Sequence, residues 1–427
     1  MRHRRSIKNI ARALLLASGA AWSAETPEAP ALTLQQAVTA ALRGNPELAA
    51  FEPRLRAQSA RATWASLRPA PEVSLDVENA LGTGETRGFS TAETTLALSQ
   101  VIELGGKRAA RIAVGAAEGD WLTNEFMVRE LDVLAEVTRR FIAVAAQQEQ
   151  LKLAETGRTL AEKLVTAVER RVAAARSPHA ELDRARIGLD RARLIVARAE
   201  AQLDAARHTL AATWGADRES LNGRPIGPVR ADLYALPAEG RFEDLVARLK
   251  SNPDYLRFAT ELQLRDAEVR LARAQARPDP VVSLGVRRLE ASNDQALVAS
   301  VSVPLFARRR SGHLVAEAEA NRDLVGAEVW AARVRARTVL YELFRGLQSE
   351  IRSAETLRKE LLPRAEEALR ETQYAYERGR YSFVELVDAQ REFLDLQAAL
   401  IEASAQAHLR RADIERLTRE PITDDAP

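Results

Sequence analysis

The chain of 427 residues contains no cysteine. That excludes disulfides, thiolate metal centres, a cysteine nucleophile and an acylated N-terminal cysteine. Histidine is scarce: the five, at positions 3, 179, 208, 313 and 408, never fall at the spacing of a metal site. Aromatic residues make up only 5% of the chain, and beyond the N-terminus no window approaches the ~20 consecutive apolar residues of a membrane-spanning helix. An excess of one charge is also missing. With 62 basic and 60 acidic side chains interspersed, there is no basic stripe for nucleic acid. No serine, histidine and acid arrangement supports hydrolase chemistry, so an enzyme is not expected, and neither is a cofactor. Gly105-Gly106 lacks the spacing of a phosphate-cradling loop and reads as a structural bend.

Ala, Leu, Arg and Glu dominate what is present, the composition of long packed helices. Arg2, Arg4, Arg5, Lys8 and Arg12 precede a short apolar stretch at 13–21 and then small residues. This reads as an export signal over 1–24, too short to cross a bilayer as a helix.

The remainder is one unit written twice. Asn45-Pro46 recurs as Asn252-Pro253, and Pro69 and Pro71 recur as Pro278 and Pro280, at spacings of about 207 to 209 residues. Glu181-Leu182 recurs as Glu385-Leu386 at a spacing of about 204. Each Asn-Pro pair predicts a helix start, because asparagine caps the first free amides and proline suits the first helical position. A helix of about 23 residues should follow, stopped by the Pro-x-Pro.

Alternation then takes over. Val73, Leu75 and Val77 interleave with Ser74, Asp76 and Glu78, and Leu96 and Leu98 lie among Glu93, Thr95 and Ser99. With the turn-rich segment 81–88 between them, these form a hairpin. Val282, Leu284 and Val286 begin a second one, which returns through Leu297, Ala299, Val301 and Val303. Beyond each hairpin a long helix is expected, at about 105–173 and 310–378, then a shorter one at about 178–213 and 382–418. Two short helices laid end to end should flank each long one, and Pro363 should kink the second long helix near its middle. The fold class is therefore mainly α with a small β part, a duplicated long-helix array with two β-hairpins. Residues 25–215 form the first repeat, 216–240 a linker, 241–418 the second repeat and 419–427 a tail.

Four strands cannot close a barrel alone. Three chains would supply twelve, an even number suited to an outer-membrane barrel, with twelve helical columns beneath. A soluble periplasmic coiled-coil scaffold or adaptor is the alternative that the helices alone allow. Two hairpins with lipid-compatible faces in a duplicated chain weigh against it.

The run from Leu32 to Leu48, the segment Gln100 to Arg108 leaving the first hairpin, Val303 to Phe306 leaving the second, and the spacing of Tyr376, Gly379, Glu385 and Ala389 together resemble the TolC or outer membrane efflux protein family. The resemblance covers nearly the whole mature chain. It implies a homotrimer with a twelve-stranded barrel among outer-membrane lipids and an α-helical tunnel across the periplasm. It also implies a periplasmic adaptor (membrane fusion protein) and an inner-membrane resistance-nodulation-division pump as partners. Glu103 to Arg108 is similar to the subgroup serving heavy-metal pumps of the cobalt, zinc and cadmium type; a drug or protein export duct of the same fold is the alternative.

By resemblance, Glu385 and Asp388 would line the periplasmic aperture. Threefold symmetry would gather them into a ring that attracts cations and raises carboxylate pKa values. The competing reading is that acids in a first helical turn simply complement the helix dipole. Tyr376 and Glu181 match the family's gating tie, a hydroxyl-to-carboxylate hydrogen bond, although an ordinary aromatic on a helix face accounts for Tyr376 as well. Ala175 stands where the family commonly has glycine, with Ser177 and Pro178 making the turn. Both tips, around Ala175, Ser177 and Pro178 and around Gly379 and Arg380, are the expected adaptor contacts.

Overall fold

The computed structural model describes residues 31–216, 226–305 and 307–419. The expected export signal, Phe306, residues 217–225 of the linker and most of the tail lie outside the described residues. Thr33 opens the fold with a capping box, its hydroxyl accepting from Gln36 N while the Gln36 side chain accepts from Thr33 N. Helix α1 (Leu34–Gly44) ends at Asn45, which starts α2 (Pro46–Ala49), and α3 (Phe51–Ala65) continues after a single break at Ala50. Its counterpart, α7 (Pro253–Gln275), follows the short α6 (Phe242–Arg248) as one unbroken helix of 23 residues.

Strands β1 (Glu72–Glu78), β2 (Glu93–Val101), β3 (Val281–Leu289) and β4 (Asp294–Ser302) form one antiparallel sheet in sequence order. The register aligns apolar residues across all four: Leu75 pairs with Leu96, Leu96 with Val286, and Val286 with Leu297. Directly opposed residues share a face, so one side of the sheet is a continuous apolar surface. Val73, Leu75, Leu297 and Val301 on it are each more than 60% exposed. The other side is polar. There Arg287 crosses three strands, donating to Thr95 Oγ1 (3.0 Å), Glu93 (2.8 Å) and Glu78 (3.1 Å). β1 and β4 are both open edges.

The long helix α4 (Lys107–Ala173) has 67 residues, roughly 100 Å at ~1.5 Å per residue. It packs on α3 and on α5 (His179–Ala212) on one side, and on α7 and α10 (Phe383–Thr418) on the other. Next to these stand α8 (Ala307–Thr356) and α9 (Leu362–Glu377). The result is a wall of four columns, with α3–α5 and α8–α9 at its two edges. The break in the second long column lies towards its tip and not near the middle. A π-helical turn, Leu357–Leu361, leads directly into α9, where Pro363 occupies the first turn. The missing proline N–H is harmless at that position, and the wide turn ahead of it absorbs the ring.

The end-to-end junctions have a specific chemistry. Asn45 Oδ1 accepts from Glu47 N and Leu48 N, while its Nδ2 donates to Thr213 O at the end of α5 (2.8 Å). Asn252 Oδ1 accepts from Asp254 N (2.7 Å), and its Nδ2 donates to Arg416 O (2.9 Å) and Leu417 O (2.8 Å) near the end of α10. One amide thus caps the start of one helix and the end of another, splicing two short helices into one column.

The described part of the linker is a strap. Val229 exchanges hydrogen bonds with the Gln148 side chain on α4 (2.7 and 3.1 Å), and the Tyr234 hydroxyl donates to Glu149 (3.2 Å). Burial and Glu149 push the Tyr234 phenol up to about 12. On α10, His408 Nε2 meets Leu233 O at 3.1 Å.

Between sheet and helix, Gly105 and Gly106 both take positive φ (78° and 74°), reversing the chain within two residues. A Cβ at Gly105 would lie 2.5 Å from Arg277. Lys107 then reaches Asp279 of the second Pro-x-Pro at 2.6 Å, and Asp279 also accepts from Leu104 N at 2.9 Å. Arg108 and Arg111 donate to the free carbonyls of Ala65, Ser66 and Leu67 at the end of α3. Among the described residues no helix is long and apolar enough to cross a membrane. The exposed apolar surface that suits lipid is on the sheet.

Candidate functional site: the helical tips

Both helical hairpins turn at the same end of the wall. A cluster of Leu164, Val168, Leu182, Leu369, Tyr376 and Leu386 joins α4, α5, α9 and α10 there. α5 and α10 therefore both start at the tip and run in parallel. The first turn closes with Ala175 N donating to Val172 O (2.9 Å) and Arg176 N to Arg171 O (2.8 Å). Ala175 takes φ 55°, a conformation that suits glycine, and Pro178 precedes α5 in extended backbone. Ala175→Gly is expected to stabilise the tip by about 1 kcal/mol, because it removes the left-handed penalty of a Cβ. Slower amide exchange of residues 171–176 is the measurement.

The second turn meets the same demand with Gly379 (φ 78°), whose N donates to Tyr376 O (2.9 Å), and Arg380 N donates to Ala375 O (2.9 Å). Ser382 then caps α10 in a capping box with Glu385. Ser382 N and Oγ donate to the Glu385 carboxylate at 2.6 and 2.7 Å, and Glu385 N donates to Ser382 Oγ at 3.3 Å. These bonds from the Ser382 backbone and hydroxyl hold the Glu385 carboxyl below the usual carboxylate range. Within one chain the direction is opposite to the rise expected from a ring of like charges, because the nearest groups are donors. Glu385 and Asp388 are both exposed, one turn apart on α10 and away from buried Leu386.

Tyr376 is 1% exposed. Its ring lies under the Arg171 guanidinium, 4.5 Å from the centroid, and its carbonyl accepts from the same guanidinium. Arg171 also donates to Ser177 Oγ at 3.0 Å. Burial raises the phenol pKa first of all; Arg171 opposes this and Glu181 adds to it. Tyr376 and Glu181 are thus neighbours, with Ser177 also close, but among the described residues no group is within hydrogen-bond geometry of the tyrosine hydroxyl. Tyr376→Phe is expected to leave the isolated subunit equally stable, or more stable by about 1 kcal/mol, since a buried unpaired hydroxyl is removed. The denaturant midpoint checks it, and a loss of more than about 1 kcal/mol would mean that the hydroxyl is paired.

Sequence reasoning missed Arg171, the residue that joins the two tips. The only available signal was a basic side chain in the last turn of a long helix, which says nothing about a partner 205 residues away. Among the described residues no three His, Asp or Glu side chains converge as a metal site.

The sequence family described as outer membrane efflux protein matches residues 37–216 and 245–418. The cobalt-zinc-cadmium resistance protein CzcC of Cupriavidus metallidurans is 31% identical over 393 residues, 90% of each chain. The nickel-cobalt-cadmium resistance protein NccC of Alcaligenes xylosoxydans xylosoxydans is 28% identical over 75% of this chain and 72% of its own. Among solved structures, a membrane protein from Pseudomonas aeruginosa superposes with a TM-score of 0.74 at 20% identity, covering 90% of each chain.

Proposed function

Since the chain belongs to the outer membrane efflux protein family, we propose that three copies assemble into the exit channel of a tripartite efflux system. The chain's place is the outer membrane, and its work is efflux rather than catalysis. The observation that carries the proposal is the unfinished state of the single subunit. Its sheet has one mainly apolar exposed face, with Thr94, Arg288, Gln295 and Gln100 confined to its two margins, and two open edges, above a helical wall that is also open at both sides. Pairing β4 of each subunit with β1 of the next closes a twelve-stranded barrel, apolar outwards, and the same threefold rotation closes twelve helical columns into a tunnel.

The cargo proposed is heavy-metal cations, on the strength of the similarity to cobalt-zinc-cadmium and nickel-cobalt-cadmium resistance proteins. The cations are passed on by a periplasmic adaptor and a resistance-nodulation-division pump. The tips present Ala175, Ser177, Pro178, Gly379 and Arg380 to the adaptor. Glu385 and Asp388 form the aperture, with Tyr376 and Glu181 beside it; their hydroxyl-to-carboxylate tie is not made in the single subunit and forms only when the assembled tip closes. In the assembled tip the Glu385 capping box competes with ring repulsion and favours the charged form of that carboxylate, which attracts cations.

Ion conductance of the purified protein in planar bilayers tests this. Trimer-sized, cation-selective currents are expected, with selectivity falling several-fold in a Glu385→Ala, Asp388→Ala variant. A protein that stays in solution without detergent and never inserts would sink the proposal.

A further inference from the structure

The duplication carries an inversion of charge. α10 bears an exposed acidic stripe of Glu385, Asp388, Glu392, Asp395 and Glu402, spaced by three, four and seven residues and therefore on one face. The positions 204 residues earlier, on α5, are Glu181, Arg184, Gly188, Arg191 and Arg198. The offset is structural as well as textual. Leu182 and Leu386 share the tip cluster, and the carbonyls of Thr213 and Leu417 receive the two splicing asparagines. Arg184, Arg191 and Arg198 therefore stand level with Asp388, Asp395 and Glu402.

All three arginines are exposed, and the ion pairs of α5 run through Arg186 and Arg193 instead. They line one wall of a groove of about 920 Å³ between α5 and α10; Asp395 and Glu402 line the other together with Arg391, which pairs with Asp395 at 3.6 Å, and α4 is the floor. The floor is made by Ala146, Gln150 and Gly157, whereas the strap is held by Gln148, which at ~100° per residue is on the opposite face of α4. In the proposed trimer, with the strap on the outer side of the closed wall, the groove faces the lumen.

We propose that Arg184, Arg191 and Arg198 form a lumenal anion-binding column that offsets the acidic column of α10 and lowers the cation selectivity of the inner tunnel. The inference rests on the trimeric channel proposed above. The seven-residue spacing sets successive guanidinium groups ~10 Å apart along α5, comparable with the screening length of ~10 Å at 0.1 M salt. Each therefore dominates its own level, and a small polyvalent anion can pass from one to the next. Around the lumen, basic and acidic columns alternate, so the inner tunnel is not uniformly acidic.

The test compares wild type with an Arg184→Gln, Arg191→Gln, Arg198→Gln variant and with the corresponding triple lysine variant, all as full-length protein in planar bilayers. In a potassium chloride gradient the glutamine variant is expected to raise the potassium-to-chloride permeability ratio about threefold, while the lysine variant keeps the wild-type ratio. Inorganic pyrophosphate added on the tip side should block wild type and the lysine variant, and block the glutamine variant at least tenfold less strongly. A conducting glutamine variant with unchanged permeability ratio and unchanged pyrophosphate block overturns the proposal. Wild-type protein that forms no channel overturns the trimeric reading itself, a different result from a channel indifferent to these arginines.

Discussion

Asp279→Ala is expected to destabilise the subunit by about 3 kcal/mol, because it strips a nearly buried lysine of its partner. The Lys107 side chain is 11% exposed and that of Asp279 is 23% exposed, with 2.6 Å between ammonium and carboxylate. Asp279 also accepts from Leu104 N, an amide that the reversal at Gly105-Gly106 leaves without a helical or strand partner. Truncation therefore leaves a desolvated charge and an unpaired N–H together. The pair is not fully dry, which keeps the figure at the low end for a buried ion pair. Asp279→Asn retains an acceptor for Leu104 and should cost about half as much. Denaturant unfolding of the full-length protein in detergent measures both. Equal effects of the two variants would mean that the acceptor for Leu104 N is irrelevant, and an asparagine variant as stable as wild type would mean that the charge is irrelevant and that the site is merely a hydrogen-bonded turn. Because Lys107 belongs to the first repeat and Asp279 to the second, the loss should also loosen the hold between the hairpins and make the sheet-to-helix junction cleavable by protease.

Asn252→Ala is expected to cost about 2–4 kcal/mol, combining a lost helix cap with two partly buried carbonyls left unpaired. Asn252 is 1% exposed and serves Asp254 N, Arg416 O and Leu417 O at once. Asn252→Asp preserves the cap and turns the donor into a carboxylate facing two carbonyl oxygens, so it should be no better than alanine. Asn45→Ala, where the amide is only half-buried and serves one carbonyl, should cost about 1–2 kcal/mol. The ranking of the three variants by thermal unfolding checks the splice. If Asn252→Asp behaves like wild type, the asparagine is a cap and nothing more. Next to this junction Arg416 bonds both Asp132 and Asp254, so a lost splice should also slacken α4 against α7 and α10.

Much of this was legible because it is local. Asn-Pro reads as a helix start since capping needs only neighbouring amides, and the alternation of Val73, Leu75 and Val77 reads as a strand since its period depends on the backbone alone. The second task of Asn252 was not legible, because its acceptors are more than 160 residues away in sequence. Pro363 announced a distortion but not its form, and the expected place near the middle of the helix was wrong: the break lies towards the tip, where a π-helical turn in the preceding residues absorbs the ring. Glu385 was ambiguous for a related reason. One carboxylate at the third position of α10 suits both a capping box and an aperture, and within the subunit the box holds it.

By itself the sequence determined the repeat, the order of helices and hairpins, and an apolar face on every strand, because periodicity and helix-boundary chemistry are properties of short segments. Only the tertiary structure decided which segments meet. It set Tyr376 under Arg171, Lys107 against Asp279, and Arg191 and Arg198 of α5 across a groove from Asp395 and Glu402 of α10. Those contacts depend on the antiparallel return of helices roughly 100 Å long, and a contact across that distance leaves no spacing in the chain by which it could be read.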